Sequence, residues 1–168
     1  MNADQLLERL IKADEEASLI YEGEKILVPI AGGANIILSG YGRTVSHDID
    51  ILGVIPELVD ILEKYDMNTR IQAHLTLLPY NYEDRLIPVN IPTKVFDYRL
   101  LSPEDQLILK LDSDRDKDVE DRENPLFVAK INWEKLENIA THEIYVWDGQ
   151  RERFDRNYEK YKEKFHKQ

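Results

Sequence analysis

Asp48 and Asp50 are separated by a single isoleucine in the run Ser46-His47-Asp48-Ile49-Asp50-Ile51. On an extended strand alternate side chains share a face, so this spacing predicts two carboxylates projecting together while Ile49 and Ile51 turn to a core. Two adjacent carboxylates repel unless a cation lies between them. A hard divalent ion such as Mg2+ or Mn2+ takes oxygen ligands and keeps positions for water and phosphate, so this pair could supply part of its coordination. By itself Asp-x-Asp is more often a solvated strand edge. Upstream stand Gly32 and Gly33. A glycine pair ahead of a short helix lets backbone N–H groups approach a phosphate at the helix's positive end, although a lone Gly-Gly is more often just a tight turn. Fourteen residues separate Gly33 from Asp48, enough for one short helix and a return loop. That would bring the turn beside the carboxylates, and the combination is more specific than either part.

The elements that must position these residues follow from periodicity. Leu6, Leu7, Leu10, Ile11, Ala13, Ala17 and Leu19 recur at helical spacing, predicting an amphipathic first helix that stops at Glu22-Gly23-Glu24. Ile26, Val28 and Ile30 predict a strand over 25–31 that enters the glycine turn. Residues 34–39 read as a buried helix of about two turns, closed by Gly40-Tyr41-Gly42. Asp48 to Val54 alternates as a half-buried strand does, and Pro56 then opens a helix with Leu58, Val59, Ile61, Leu62 and Tyr65 inward. His74 to Leu78, Leu86 to Ile91 and Lys94 to Arg99 predict three β pieces, kept short or at an edge by Pro79, Pro88 and Pro92. Ser102-Pro103-Glu104-Asp105 predicts a helix start in which Asp105 answers the Ser102 cap, with Leu107, Ile108 and Leu111 in the core. No apolar residue occurs from Asp112 to Asp118, which fits a loop or an exposed helical turn. Asn124-Pro125 breaks the next helix, Asn132 caps another, and Phe154, Tyr158, Tyr161 and Phe165 form a packing stripe on the last.

Size and charge bound the rest. A chain of 168 residues with 42% hydrophobic and 33% charged residues lies in the range of one folded domain. We expect a single domain over 1–168, with a core over 1–101 and a helical part over 102–168. No cysteine is present, so disulfides, thiolate nucleophiles and cysteine-ligated metals are excluded. The chain shows neither a basic segment followed by an apolar one at its start nor a membrane-span-length apolar run, and the expectation is a soluble, cytoplasmic protein without membrane contact. A net charge of -11 repels polyanions over most of the surface, leaving nucleic acid only a local, salt-sensitive hold, for which Arg85, Lys94 and Arg99 are the candidate groove residues.

Ala31-Gly32-Gly33 followed by Asp48-Ile49-Asp50 resembles the signature of the DNA polymerase beta-like nucleotidyltransferase superfamily, an apolar residue and a glycine pair, a helix, then Asp-x-Asp. Within it the chain is similar to the AbiEii/MenT-like toxins and related bacterial nucleotidyltransferases. Arg43 and Ser46 stand where these carry an Arg and a Thr or Ser before Asp-Ile-Asp. Ser102 to Asp105, Lys110 and Arg115-Asp116-Lys117-Asp118-Val119-Glu120-Asp121 match their later segments in order, so the resemblance spans residues 28–122. It implies an α/β (α+β) fold, a mixed sheet flanked by helices with a helical C-terminal part. It also implies transfer of a nucleoside monophosphate from a nucleoside triphosphate with Mg2+ or Mn2+ as cofactor. Asp48 and Asp50 would hold the metal, Gly32, Gly33, Arg43 and Ser46 the nucleotide, and Arg43 or Lys110 would neutralise the leaving group. For a third carboxylate Asp97, Asp118 and Asp121 all stay open, Asp118 being preferred as activator of the acceptor. A helix running unbroken from Ser102 would put Lys110, Asp114, Asp118 and Asp121 on one stripe. The acceptor, an RNA end, a protein or a small molecule, is not read from these residues, and the resemblance adds an antitoxin as a partner. The short stretch from Lys110 to Asp118 departs from the longer relatives, implying a smaller or different acceptor region. The alternative is a non-catalytic nucleotide sensor or antitoxin-like partner on the same fold.

Overall fold

The computed structural model describes residues 1–53, 55–71, 75, 77–144 and 148–166. The chain divides into two compact units, Met1–His74 with Leu86–Leu101, and Leu75–Arg85 with Ser102–Gln168.

The first unit is a mixed sheet with helices. Helix α1 (Ala3–Ala17) starts at a reciprocal cap: the Asn2 side chain accepts from the Gln5 N–H, and the Gln5 side chain accepts from the Asn2 N–H. Its buried residues Leu6, Leu10, Ala13 and Ala17 fall on one stripe. The helix stops at Ala17, earlier than the sequence predicts, and Leu19 is 81% exposed. Strand β1 (Ile26–Ala31) runs into helix α2 (Gly32–Leu38), and strand β2 (Ile49–Ile51) follows. A 3-10 turn (Pro56–Leu58) and helix α3 (Val59–Lys64) come next, with Pro56 at the start as expected. Strands β3 (Met67–Asn68), β4 (Ile87–Pro88) and β5 (Phe96–Leu100) complete a sheet of order β3-β2-β1-β5-β4. The β1–β5 and β2–β3 pairs are parallel, and β1–β2 and β4–β5 are antiparallel.

Several strands are shorter than expected for identifiable reasons. The Leu52 N–H donates to the Pro29 carbonyl at 2.9 Å, but proline has no N–H to return, so the β1–β2 ladder ends there. Gly53, at φ +57, then turns the chain away. The expected strand from Asp48 thus reduces to Ile49–Ile51, with Asp48 in the bend before it; Val54 lies outside the described residues. At the other end the backbone N–H groups of Lys94, Val95 and Phe96 are taken by the buried carboxylate of Asp14, at 2.7 to 2.8 Å, which moves the start of β5 to Phe96. Of the piece expected from His74 to Leu78, Leu75, Leu77 and Leu78 form no strand, while His74 and Thr76 lie outside the described residues. Pro88 sits on an edge strand, where its missing donor is harmless.

Register sorts the sheet into two faces. Ala31 pairs with Asp50 and Asp50 with Asn68, while Pro29 pairs with Arg99 and Leu27 with Asp97. Paired residues share a face, so Asn68, Asp50, Arg99 and Asp97 all project to one side. Val28, Ile30, Ile49, Ile51, Phe96 and Tyr98 project to the other and join the buried residues of α1, α2 and α3 in one core cluster.

The second unit is helical. Helix α4 (Pro103–Leu111) is capped by Ser102, whose hydroxyl accepts from the Asp105 N–H at 3.1 Å. The Asp105 carboxylate does not answer the Ser102 backbone as the capping pattern suggests. It accepts from the Ser102 hydroxyl and forms a two-pronged pair with Arg85 at 2.8 and 2.9 Å. Arg85 also binds Glu143 and Asn81, and its side chain is only 11% exposed. It therefore cannot line a groove, because every arm of the guanidinium holds the 3-10 turn (Tyr82–Arg85) in place. Helices α5 (Asp116–Glu123), α6 (Pro125–Val128), α7 (Trp133–His142) and α8 (Asp148–Phe165) follow, with Asn124 and Asn132 capping α6 and α7. Phe154, Tyr158 and Tyr161 of α8 are buried, so the aromatic stripe is packing.

Candidate active site

The two glycines sit where strand turns into helix, and each is required for a different reason. Gly32 has φ +65, the left-handed region that a side chain disfavours, and a Cβ there would lie 2.3 Å from Oδ2 of Asp50. Gly33 has no such backbone demand. A Cβ on it would lie 2.0 Å from a terminal nitrogen of Arg43 and 3.2 Å from the Ser46 hydroxyl. The glycine turn therefore has the Asp50 carboxylate against one residue and the Arg43 guanidinium against the next. The turn is braced from behind by Asn35, fully buried on α2, which donates to the carbonyls of Ile30 at 2.8 Å and Leu101 at 3.4 Å. An asparagine between Ala34 and the apolar run Ile36-Ile37-Leu38 is the sequence signal for that brace.

Asp50 is half-buried in the middle of β2, flanked by the fully buried Ile49 and Ile51, as the alternation predicts. Its Oδ1 accepts from Asn68 Nδ2 at 3.2 Å. Asp48 is exposed in the bend before the strand, so the two carboxylates do not leave one regular strand as the sequence suggests. The bend is shaped by Ser46: its hydroxyl donates to the Asp48 carbonyl at 2.8 Å, and its N–H donates to the Met1 carbonyl at 3.0 Å. Ser46 is 7% exposed and so fixes the Arg43 to Asp48 loop. Among the described residues no group of three or more acids or histidines gathers for a metal ion. The donor set of Asp48 and Asp50 still suits a hard divalent ion, being all carboxylate oxygen, and the space a Gly32 side chain would fill lies directly against Asp50.

Asp97 shares the Asp50 face but pairs with Leu27, four residues before the Ala31 that pairs with Asp50. At the usual rise per residue that offset is about 13 Å along the sheet. Asp97 accepts from Arg99 at 3.0 Å.

In the second unit α4 ends at Leu111 and α5 begins at Asp116, so no continuous stripe forms. The chain reverses instead and places Lys110 between Asp118 at 2.7 Å and Asp121 at 2.9 Å. Asp114 lies outside this cluster and accepts from Asn157. Asp118 also accepts from Ser113 and Arg115, and Arg122 donates to the carbonyls of Lys110 and Ser113. Burial by itself would raise the Asp118 carboxyl, but Lys110, with hydrogen bonds from Ser113 and Arg115, holds it down at about 2. The three charged groups are each under a tenth exposed, and they satisfy one another.

The family model of a nucleotidyltransferase of unknown function, DUF6036, matches residues 8–166. The chain belongs to this nucleotidyltransferase family. The match takes in the glycine turn, both aspartates and the Lys110 cluster alike. In comparisons with curated proteins and with solved structures nothing matches. No helix among the described residues of this nucleotidyltransferase is long and apolar enough to cross a membrane.

Proposed function

We propose that this nucleotidyltransferase binds a nucleoside triphosphate with Mg2+ or Mn2+ at the Gly32-Gly33 turn and transfers its nucleoside monophosphate to an acceptor, releasing pyrophosphate. The observation that carries the reading is the glycine turn with a carboxylate against one residue and a guanidinium against the next. Asp48 and Asp50 would hold the cation, which when bound offsets phosphate charge and aligns the triphosphate. The backbone of Gly32 and Gly33 receives phosphate oxygens without side-chain obstruction, and the Arg43 fork stabilises charge that develops on the pyrophosphate. In the transfer an acceptor oxygen bonds to the α-phosphorus as the bond to pyrophosphate breaks, and the acceptor proton leaves to a base. Among Asp97, Asp118 and Asp121 the resemblance favours Asp118 as that base. Both Asp118 oxygens are already taken, Oδ1 by Lys110 and Oδ2 by Ser113 and Arg115, so we assign the Lys110 cluster to holding its unit together instead.

The resemblance of the Arg43 to Asp50 and Ser102 to Asp121 segments to those of AbiEii/MenT-like toxins is what supports a toxin role, with an antitoxin as partner and an RNA end, a protein or a small molecule as acceptor. The test is incorporation of α-labelled nucleotide into total RNA, protein and small molecules, with wild type and Asp48→Asn, Asp50→Asn, Lys110→Ala and Asp118→Ala compared at equal folded fraction. Labelling by wild type that the Asp48 and Asp50 variants lose is the expected result. Selective loss in a still-folded Asp118→Ala would restore Asp118 as the base. Metal-dependent nucleotide binding without pyrophosphate release would make the protein a nucleotide sensor.

A further inference from the structure

The polar face of the sheet carries a residue that the glycine and aspartate motif leaves out. Asn68 lies on β3, the strand beyond β2, paired with Asp50 itself. Both ends of its amide are committed. Oδ1 accepts from the Arg70 N–H at 3.1 Å, which turns Nδ2 toward Asp50, where it donates to Oδ1 at 3.2 Å. The other carboxylate oxygen, Oδ2, is the one that faces Gly32. A terminal aspartate torsion is a broad, two-fold rotor, and a donor on Oδ1 favours the rotamer that leaves Oδ2 toward the turn.

We propose that Asn68 is a positioning residue for Asp50, fixing the carboxylate so that one oxygen is presented to the cation at the glycine turn; this rests on the proposal that Asp50 holds the metal. The chemistry of the side chain suits that task. A lysine or arginine on the same rung would form an ion pair and compete with the cation, and an aspartate would repel Asp50. A neutral amide orients the carboxylate without adding a charge of its own. Outer-shell donors of this kind typically change metal affinity by about 10- to 100-fold when removed.

The test measures Mn2+ by electron paramagnetic resonance in the full chain, with and without α,β-methylene analogues of the four ribonucleoside triphosphates, and needs no turnover. Asn68→Leu keeps the branched outline and removes the donor, and should weaken Mn2+ held with nucleotide by about ten-fold. Asn68→His can donate from a nitrogen the same number of bonds from the backbone, and should recover most of that loss. In an Asp50→Ala background Asn68→Leu should change the residual affinity no further. Thermal melts accompany each titration, and Asn68→Ala replaces Asn68→Leu if the latter melts early. Wild-type affinity in the donor-free variant, or an equal loss in the Asp50→Ala background, overturns the assignment while leaving the metal site standing. Failure of wild type to bind Mn2+ with any analogue overturns both.

Discussion

At the scale of single residues, the two glycines separate binding from folding. A methyl group on Gly33 meets side-chain ends and no backbone, a terminal nitrogen of Arg43 at 2.0 Å and the Ser46 hydroxyl at 3.2 Å, so the guanidinium must shift while the backbone need not. Gly33→Ala should therefore leave stability within about 1 kcal/mol of wild type, yet weaken triphosphate binding by about ten-fold through loss of one charge-assisted contact. Gly32→Ala meets a carboxylate at 2.3 Å and must also hold φ +65, so it should lose about 1 to 3 kcal/mol of stability as well as affinity. Fluorescent-nucleotide titration beside urea unfolding of both variants distinguishes the two outcomes. If Gly33→Ala binds like wild type, the guanidinium next to the turn does not serve phosphate.

At the scale of elements, the α4–α5 reversal is held by ionised groups, and this has a pH signature. Asp118 has its carboxyl lowered from 3.8 to about 2 in the folded chain. A depressed folded value means stability that is fully present above the unfolded value and lost as pH falls through the folded one. The linked amount is about 2 kcal/mol, disappearing between about pH 4 and pH 2. Asp118→Asn should start less stable at pH 6 and show a correspondingly flatter acid limb in denaturant titrations. A variant with the wild-type acid slope would place the ionisable stabiliser elsewhere. The same elements show why Lys110 and Asp118 come together: Asp112 ends α4, residues 113–115 turn, and α5 runs back.

At the scale of the whole molecule, charge governs what can be an acceptor. With a net charge of -11 the surface repels a long polyanion, and Arg85, one of three cations expected to offer a groove, is enclosed by Asp105 and Glu143. Lys94 remains exposed and Arg99 is half-buried beside Asp97. A single-stranded RNA of about 20 nucleotides should bind weakly, and the slope of log affinity on log salt should be no steeper than about -2, matching two or three phosphate contacts. A fluorescence-anisotropy salt series would show it. A slope several times steeper would reveal a basic surface that the charge distribution does not suggest.

The sequence by itself determined the elements whose cause is local. The apolar stripe of α1, the proline and serine starts at Pro56 and Ser102, and the Gly-Gly and Asp-Ile-Asp segments need only neighbouring residues to specify them. That the chain is a nucleotidyltransferase is legible there too, because the motifs that suggest it are short in sequence. Tertiary structure decided everything that depends on a distant partner. Pro29 shortens β2 because Leu52 happens to lie opposite it, and Asp14 delays β5 from a helix about eighty residues away. Asn68 reaches Asp50 only because β3 pairs with β2. Arg85 reads as a groove residue in the sequence, but Asp105 and Glu143 close on it, and Lys110 meets Asp118 only because the chain reverses. In each case the deciding interaction joins groups that local spacing cannot bring together, since hydrogen bonds and buried ion pairs depend on distance in space rather than along the chain.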